Sequence, residues 1–166
     1  MLTTYPLQNV NTLEPVVDVD TRARVADLLS RYTTYFDYGY IEAWADLFTV
    51  DGQLDFPLSE DNRIVVTGRD ELIGFSEQTA RIPGGSRLVS AHFAGATTMS
   101  RVAEDRLTAF TPVLMVGSDL RRWTAPGVEG VGAYVDDIVL VDGQWRFQRR
   151  VADLYGNGPL PDALVR

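Results

Sequence analysis

At 166 residues the chain suits one domain with a sizeable core, and 45% apolar with 23% charged residues is ordinary for a soluble globular protein. It has no cysteine and no lysine, all fifteen cationic side chains being arginines, which excludes disulfides, thiolate nucleophiles, the commonest zinc sites, Schiff-base lysines and P-loop lysines. A formal charge of −8 with no basic stripe argues against nucleic acid and anionic lipid as partners, and no run approaches the roughly 18 apolar residues of a membrane helix.

Residues 1–17 read as an extended arm, since Pro6 and Pro15 discourage helix. Its start, MLTTYPLQNVN, has neither the basic opening nor the apolar centre of a secretory signal, so the cytoplasm is the expected location. Asp18, Asp20 and Thr21 can cap a helix from about Thr21 to about Asp37, with Val25, Leu28, Leu29, Tyr32 and Phe36 on one face. Gly39 breaks it. Tyr40 to Phe48 reads as a second helix, stopped by Asp51-Gly52 as a tight turn before a short strand, Gln53 to Phe56, closed by Pro57. Ile64 to Thr67 is another short strand, and Asp70 to Ala80 a third helix ended by Pro83-Gly84-Gly85.

The second half is strand-like. Leu88 to Val102 reads as one long strand, Ala103 to Arg106 as a turn, and Leu107 to Val116 as a return strand in which Pro112 calls for an edge or a bulge. Asp119 to Gly130 is a loop containing Arg121, Arg122 and Trp123. Gly132 to Val141 and Gln144 to Val151 form a hairpin across Asp142-Gly143, and residues 156–166 a loose tail. With no repeat or linker, 1–166 is one domain. Helices followed by long antiparallel strands argue α+β: a curved, mostly antiparallel sheet wrapped around three N-terminal helices, with a pocket between the concave face and the first helix.

Chemistry concentrates in YTTYFDYGY, residues 32–40, where Asp37 sits among Tyr32, Tyr35, Phe36, Tyr38 and Tyr40. A carboxylate among aromatic rings is poorly solvated and calls for a partner. The only histidine, His92, shares strand parity with Leu88, Ser90, Ala94, Ala96 and Thr98, a mostly small-residue face that leaves room for a ligand. Duller readings stand beside these: a core histidine bonded to backbone, an aspartate that merely caps a helix, tyrosines that merely pack. Tyr32 and Asp37 are about 140° apart around a helix, so they meet one cavity only by flanking it or by unwinding near Gly39. Plain alternation in the last strand turns Arg149 inward with Trp145 and Phe147, whereas a bulge turns Arg150 in. Gly127, Gly130 and Gly132 do not spell a dinucleotide fingerprint, no GxSxG elbow exists, and one histidine without cysteine disfavours a transition-metal site.

In order and spacing, Tyr32-x4-Asp37-x6-Trp44-x3-Phe48-x2-Asp51-Gly52, His92 in a middle strand, Gly132-x-Tyr134-x-Asp136 and Asp142-Gly143-x-Trp145-Arg146-Phe147-x2-Arg150 resemble the SnoaL-like branch of the nuclear-transport-factor-2-like superfamily. The resemblance spans about Thr21 to Val151. It implies a cone-shaped α+β barrel, a homodimer or homotrimer, and a pocket with no cofactor that takes a small hydrophobic molecule. Members include scytalone dehydratase, bile-acid 7α-dehydratase, a dehydrochlorinase, steroid isomerase, polyketide cyclases and non-catalytic small subunits of ring-hydroxylating dioxygenases. In the dehydratase-like members an Asp ending the first helix orients a strand His that acts as base, positions that fall here on Asp37 and His92. The supporting Tyr and late-strand Arg fall on Tyr32 and Arg150. Tyr38, Trp44, Phe56, Phe110 and Tyr134 are expected to line the pocket. Many relatives carry Asn four residues after the histidine, where this chain has Ala96.

Overall fold

A computed structural model describes residues 17–59, 62–80, 88–119 and 125–154. Helix α1 spans Val19–Asp37 and starts where the sequence offers its cap: Asp18 Oδ1 accepts the Thr21 N–H at 2.8 Å and Oδ2 the Thr21 hydroxyl at 2.7 Å. Val25, Leu28, Leu29 and Tyr32 form its buried stripe. Gly39, at φ +75°, turns the chain out of the helix into α2, Ile41–Ala45. This second helix is shorter than the 40–48 expected, because Phe48 already belongs to strand β1, Phe48–Pro57.

Asp51-Gly52 is therefore not a turn. It lies inside β1, where the register against the neighbouring strand shifts between Phe48 and Gln53. A Cβ at Gly52 would lie 2.7 Å from Phe48 Cβ and 2.9 Å from the Phe147 carbonyl oxygen, so the glycine marks a close approach of two backbones. Strand β2, Arg63–Thr67, pairs back onto β1, and α3, Arg69–Ala80, follows.

The expected strand from Leu88 to Val102 is two strands, β3, Leu88–Ala94, and β4, Thr98–Ala103. Both pair with β5, Arg106–Asp119, and the break falls opposite Pro112: β3 ends with Ala94 beside Val113, and β4 resumes with Thr98 beside Phe110. Pro112 has no N–H to give, so its neighbour interrupts, and Gly95 donates its N–H to the Pro112 carbonyl at 2.7 Å. Strand β6, Gly127–Val141, begins inside the expected loop and joins β7, Gln144–Asp153, through Asp142 and Gly143 at φ +50° and +75°.

These strands form one sheet in the order β2-β1-β7-β6-β5-β3, antiparallel throughout except for β1 beside β7. The sheet is curved against the helices and does not close into a barrel. Trp44, Leu54, Leu72, Leu107, Ile138 and Phe147 fill the space between layers. No helix among the described residues is long and apolar enough to cross a membrane. The expected arm over 1–16, the Pro83-Gly84-Gly85 stop, the Arg121-Arg122-Trp123 loop and the tail from 156 lie outside the described residues.

Candidate active site

β3 is an edge strand, and the last residue of α1 reaches its open side. The Asp37 carboxylate engages His92 twice: Oδ2 accepts the His92 backbone N–H at 2.8 Å, and Oδ1 stands 2.5 Å from ring Nδ1. The two side chains are only 8% (His92) and 10% (Asp37) exposed. Phe36 meets the imidazole edge-to-face, centroids 5.7 Å apart. An ionised carboxylate only accepts, so it selects the neutral tautomer with the proton on Nδ1 and the free lone pair on Nε2. Among the described residues Nε2 has no hydrogen-bond partner.

The second part of the site hangs on a bulge. β6 and β7 pair Asp137 with Arg149 but Ile138 with Phe147, leaving Gln148 unmatched. The extra residue resets the alternation, so Phe147 and Arg150 both turn inward and both are fully buried. Arg149 turns outward, where it shares the Asp55 carboxylate with Arg63. Arg150 makes a two-pronged contact with Asp136, Nε and Nη2 each 2.7 Å from a carboxylate oxygen. Its guanidinium carbon lies 3.9 Å from the Tyr32 ring centre, 4.1 Å from that of Phe147 and 4.3 Å from that of Tyr134.

Burial raises the Tyr32 phenol to about 12, with the Arg150 charge pulling the other way, and drives Tyr134 well up for the same reason. Both phenols thus stay protonated, as donors, at any working pH. Burial also pushes the Asp136 carboxyl above its ordinary range, against the opposing pull of Arg150. The charge of Asp37 adds a smaller upward push on both tyrosines. A run of rings joins the two halves: Tyr32 to Trp44 at 5.4 Å, Trp44 to Phe36 at 5.3 Å, then Phe36 to His92.

Not every expected residue comes here. Tyr38 is the C-cap of α1 and is 78% exposed. Phe110 alternates with Ala109 and Thr111, which face the buried side, so it lies on the opposite face of the sheet from Arg150 and Tyr134; its expected place in the pocket is corrected accordingly. Phe56 packs against Phe75 of α3, 6.4 Å away. Trp44 and Tyr134 are buried within the cluster. Asp136 was given no role from the sequence; its signal was its position across the hairpin from Arg150, readable only once the bulge is known. Among the described residues no group of three or more His, Asp or Glu is placed to hold a metal ion. A cleft of about 440 Å³ between α1 and the β6–β7 turn, lined by Arg24, Arg31, Tyr35, Trp145 and Arg146, contains none of the residues of the Asp37–His92 or Arg150–Asp136 pairs.

Residues 17–151 match the model of the SnoaL-like domain. Three solved structures have the same fold. A Mycobacterium tuberculosis protein of unknown function is 24% identical, with TM-score 0.68 over 81% of this chain and 76% of that one. A putative scytalone dehydratase from Novosphingobium aromaticivorans is 23% identical, TM-score 0.67, over 80% and 83%. The beta subunit of a putative aromatic-ring-hydroxylating dioxygenase from the same organism is 17% identical, TM-score 0.67, over 89% and 97%. No curated protein matches the sequence.

Proposed function

The chain belongs to the SnoaL-like family, and from that premise we propose that it is a cofactor-independent lyase or isomerase, dehydratase-like, acting on a small hydrophobic carbonyl compound of polyketide, terpenoid or aromatic type. His92 Nε2 removes a proton α or vinylogous to the carbonyl. Asp37 holds the Nδ1 proton and balances the imidazolium that forms. Tyr32, with Tyr134 and Arg150, donates to the oxygen that gains charge, or protonates a departing hydroxyl. The observation that carries this reading is the two-point contact of Asp37 with His92, which fixes ring tautomer and orientation together.

The test is deuterium wash-in from D₂O at the carbon next to the carbonyl, followed by proton NMR across a panel of cyclic and aryl ketones. The reading expects wash-in with at least one class of ketone and a loss of about 10²- to 10⁴-fold in His92→Ala, the usual contribution of a general base. Exchange at the wild-type rate in that variant would contradict it. A second, non-catalytic reading has support from the dioxygenase beta subunit among the structural neighbours and from Asp37's bond to a main-chain N–H, which by itself would only tie down an edge strand. It expects no wash-in with any ketone and co-purification with a larger oxygenase subunit.

A further inference from the structure

The cleft between α1, the link from α2 to β1 and the start of β7 takes no part in the proposed reaction, yet its volume of about 440 Å³ is that of a small-molecule site. Arg24, Leu28, Arg31 and Tyr35 follow one another at spacings of four, three and four, so one stripe of α1 forms a wall. Leu28, Leu47 and Trp145 supply apolar lining. Two carboxylates also line the cleft, but each already has a cation. Asp27 Oδ2 lies 2.6 Å from Arg31 Nη2, and Asp46 Oδ1 accepts the Arg69 Nε–H at 2.8 Å. Arg24 has Asp20 at 2.8 Å. Arg146 is different: among the described residues it has no carboxylate partner. It gives one N–H from Nη1 to the Asp46 main-chain carbonyl and one from Nη2 to the Gln144 side-chain oxygen, the latter at 2.9 Å. These neutral acceptors hold the guanidinium in place without cancelling its charge, and three of its five N–H groups stay unspent.

We propose that this cleft is a second ligand site, separate from the Asp37–His92 pair, for a small monocarboxylate with an apolar body: the carboxylate on Arg146, the body against Leu28, Leu47 and Trp145. A carboxylate matches the planar fork of a guanidinium with two parallel bonds and supplies the counter-charge that Arg146 lacks. Arg24 and Arg31 can turn toward it at little cost, because their ion pairs with Asp20 and Asp27 are more than half exposed and such pairs are weak. An ammonium ligand would meet the uncancelled cation. A compact dianion would leave the apolar lining unused and stand against Asp27 and Asp46. None of these residues acts in the proton transfer, so the two readings stand or fall separately.

Titration calorimetry with three probes tests it: benzoate, its neutral isostere benzamide, and acetate, which keeps the charge without the apolar body. Benzoate should bind saturably, and the other two at least about tenfold more weakly. Arg146→Gln should weaken benzoate about 10- to 100-fold, the usual worth of a charge-assisted hydrogen bond, and leave the weaker binding of benzamide unchanged. His92→Ala should bind benzoate as the wild type does. Indole N–H signals of ¹⁵N-labelled protein read the place: of the chain's three tryptophans, Trp145, identified by Trp145→Phe, should shift on adding benzoate. No saturable binding of benzoate, equal affinity for benzoate and benzamide, unchanged affinity in Arg146→Gln, or loss of benzoate binding in His92→Ala would overturn the proposal. If Arg146→Gln does not fold, the Trp145 signal decides: a saturable shift supports the site and an unmoved signal overturns it. Benzoate held at Trp145 with no deuterium wash-in for any ketone keeps the cleft and removes the proton-transfer reading; the reverse pattern removes the cleft alone.

Discussion

Asp37 ends the first helix and holds His92, on an edge strand fifty-five residues away, by two bonds from one carboxylate: 2.5 Å to ring Nδ1 and 2.8 Å from the main-chain N–H. Asp37→Asn separates these duties. An amide oxygen can still accept the main-chain N–H, but an amide NH₂ facing Nδ1 favours the tautomer with the proton on Nε2 and removes the base. The variant should keep its fold and its KM while kcat falls about 10²- to 10⁴-fold. Steady-state kinetics beside a melting curve reads both, and a fall in stability with kcat intact would assign the carboxylate a structural duty only.

Tyr32 gives a pH dependence with a definite sign. Its phenol titrates near 10 in the unfolded chain and at about 12 in the folded one. A raised value means that its contribution is fully present below pH 10 and is lost as pH climbs through about 12. The protein should therefore lose stability between pH 10 and 12, by roughly 2 to 3 kcal/mol at most from this group. Tyr134, raised for the same reason, adds to the slope. Urea denaturation across that range in wild type and Tyr32→Phe should show a shallower alkaline fall in the variant; equal slopes would contradict the burial argument.

Arg150 and Asp136 form an ion pair with both side chains at 0% exposure. Removing one partner leaves a buried charge alone, so Asp136→Leu or Arg150→Met should each cost about 3 to 5 kcal/mol. The double replacement should recover much of that loss and remain inactive, since the guanidinium facing Tyr32 is gone. A double variant as unstable as the singles would contradict this account.

Gly132 tests the hairpin. A Cβ there would sit 1.9 Å from the Asp153 carbonyl oxygen and 2.7 Å from Leu154 Cα, both main-chain atoms that cannot swing aside. Gly132→Ala should lower stability by about 1 to 3 kcal/mol by parting β6 from the end of β7. Chemical denaturation measures it, and an unchanged midpoint would mean that the strand ends are looser than described.

What the sequence disclosed follows from which forces are local. The cap at Asp18, the stripe from Val25 to Tyr32 and the Asp142-Gly143 hairpin are decided by neighbouring residues, and they stand where local rules put them. Family order and spacing, not periodicity, drew Asp37 and His92 together. Local rules misjudged Asp51-Gly52, because a glycine needed for a close approach between strands reads like a turn glycine. They ran β3 into β4, because the interruption is imposed by Pro112 on the adjacent strand. The choice of Arg150 over Arg149 depends on Gln148 bulging against β6, a relation between strands that no single-strand alternation contains. Phe110 was misplaced for the same kind of reason: its face is set by register with Val135, not by its apolar character.

The most direct measurement concerns the tautomer of the imidazole, and this chain makes it simple because it has a single histidine. ¹⁵N NMR of protein labelled at histidine reports, without any substrate, which ring nitrogen carries the proton in the neutral state. The account predicts a protonated Nδ1 and a free Nε2 in wild type, and the opposite assignment in Asp37→Asn. A neutral ring protonated on Nε2 in the wild-type protein, with Nδ1 bare beside the carboxylate, would contradict it.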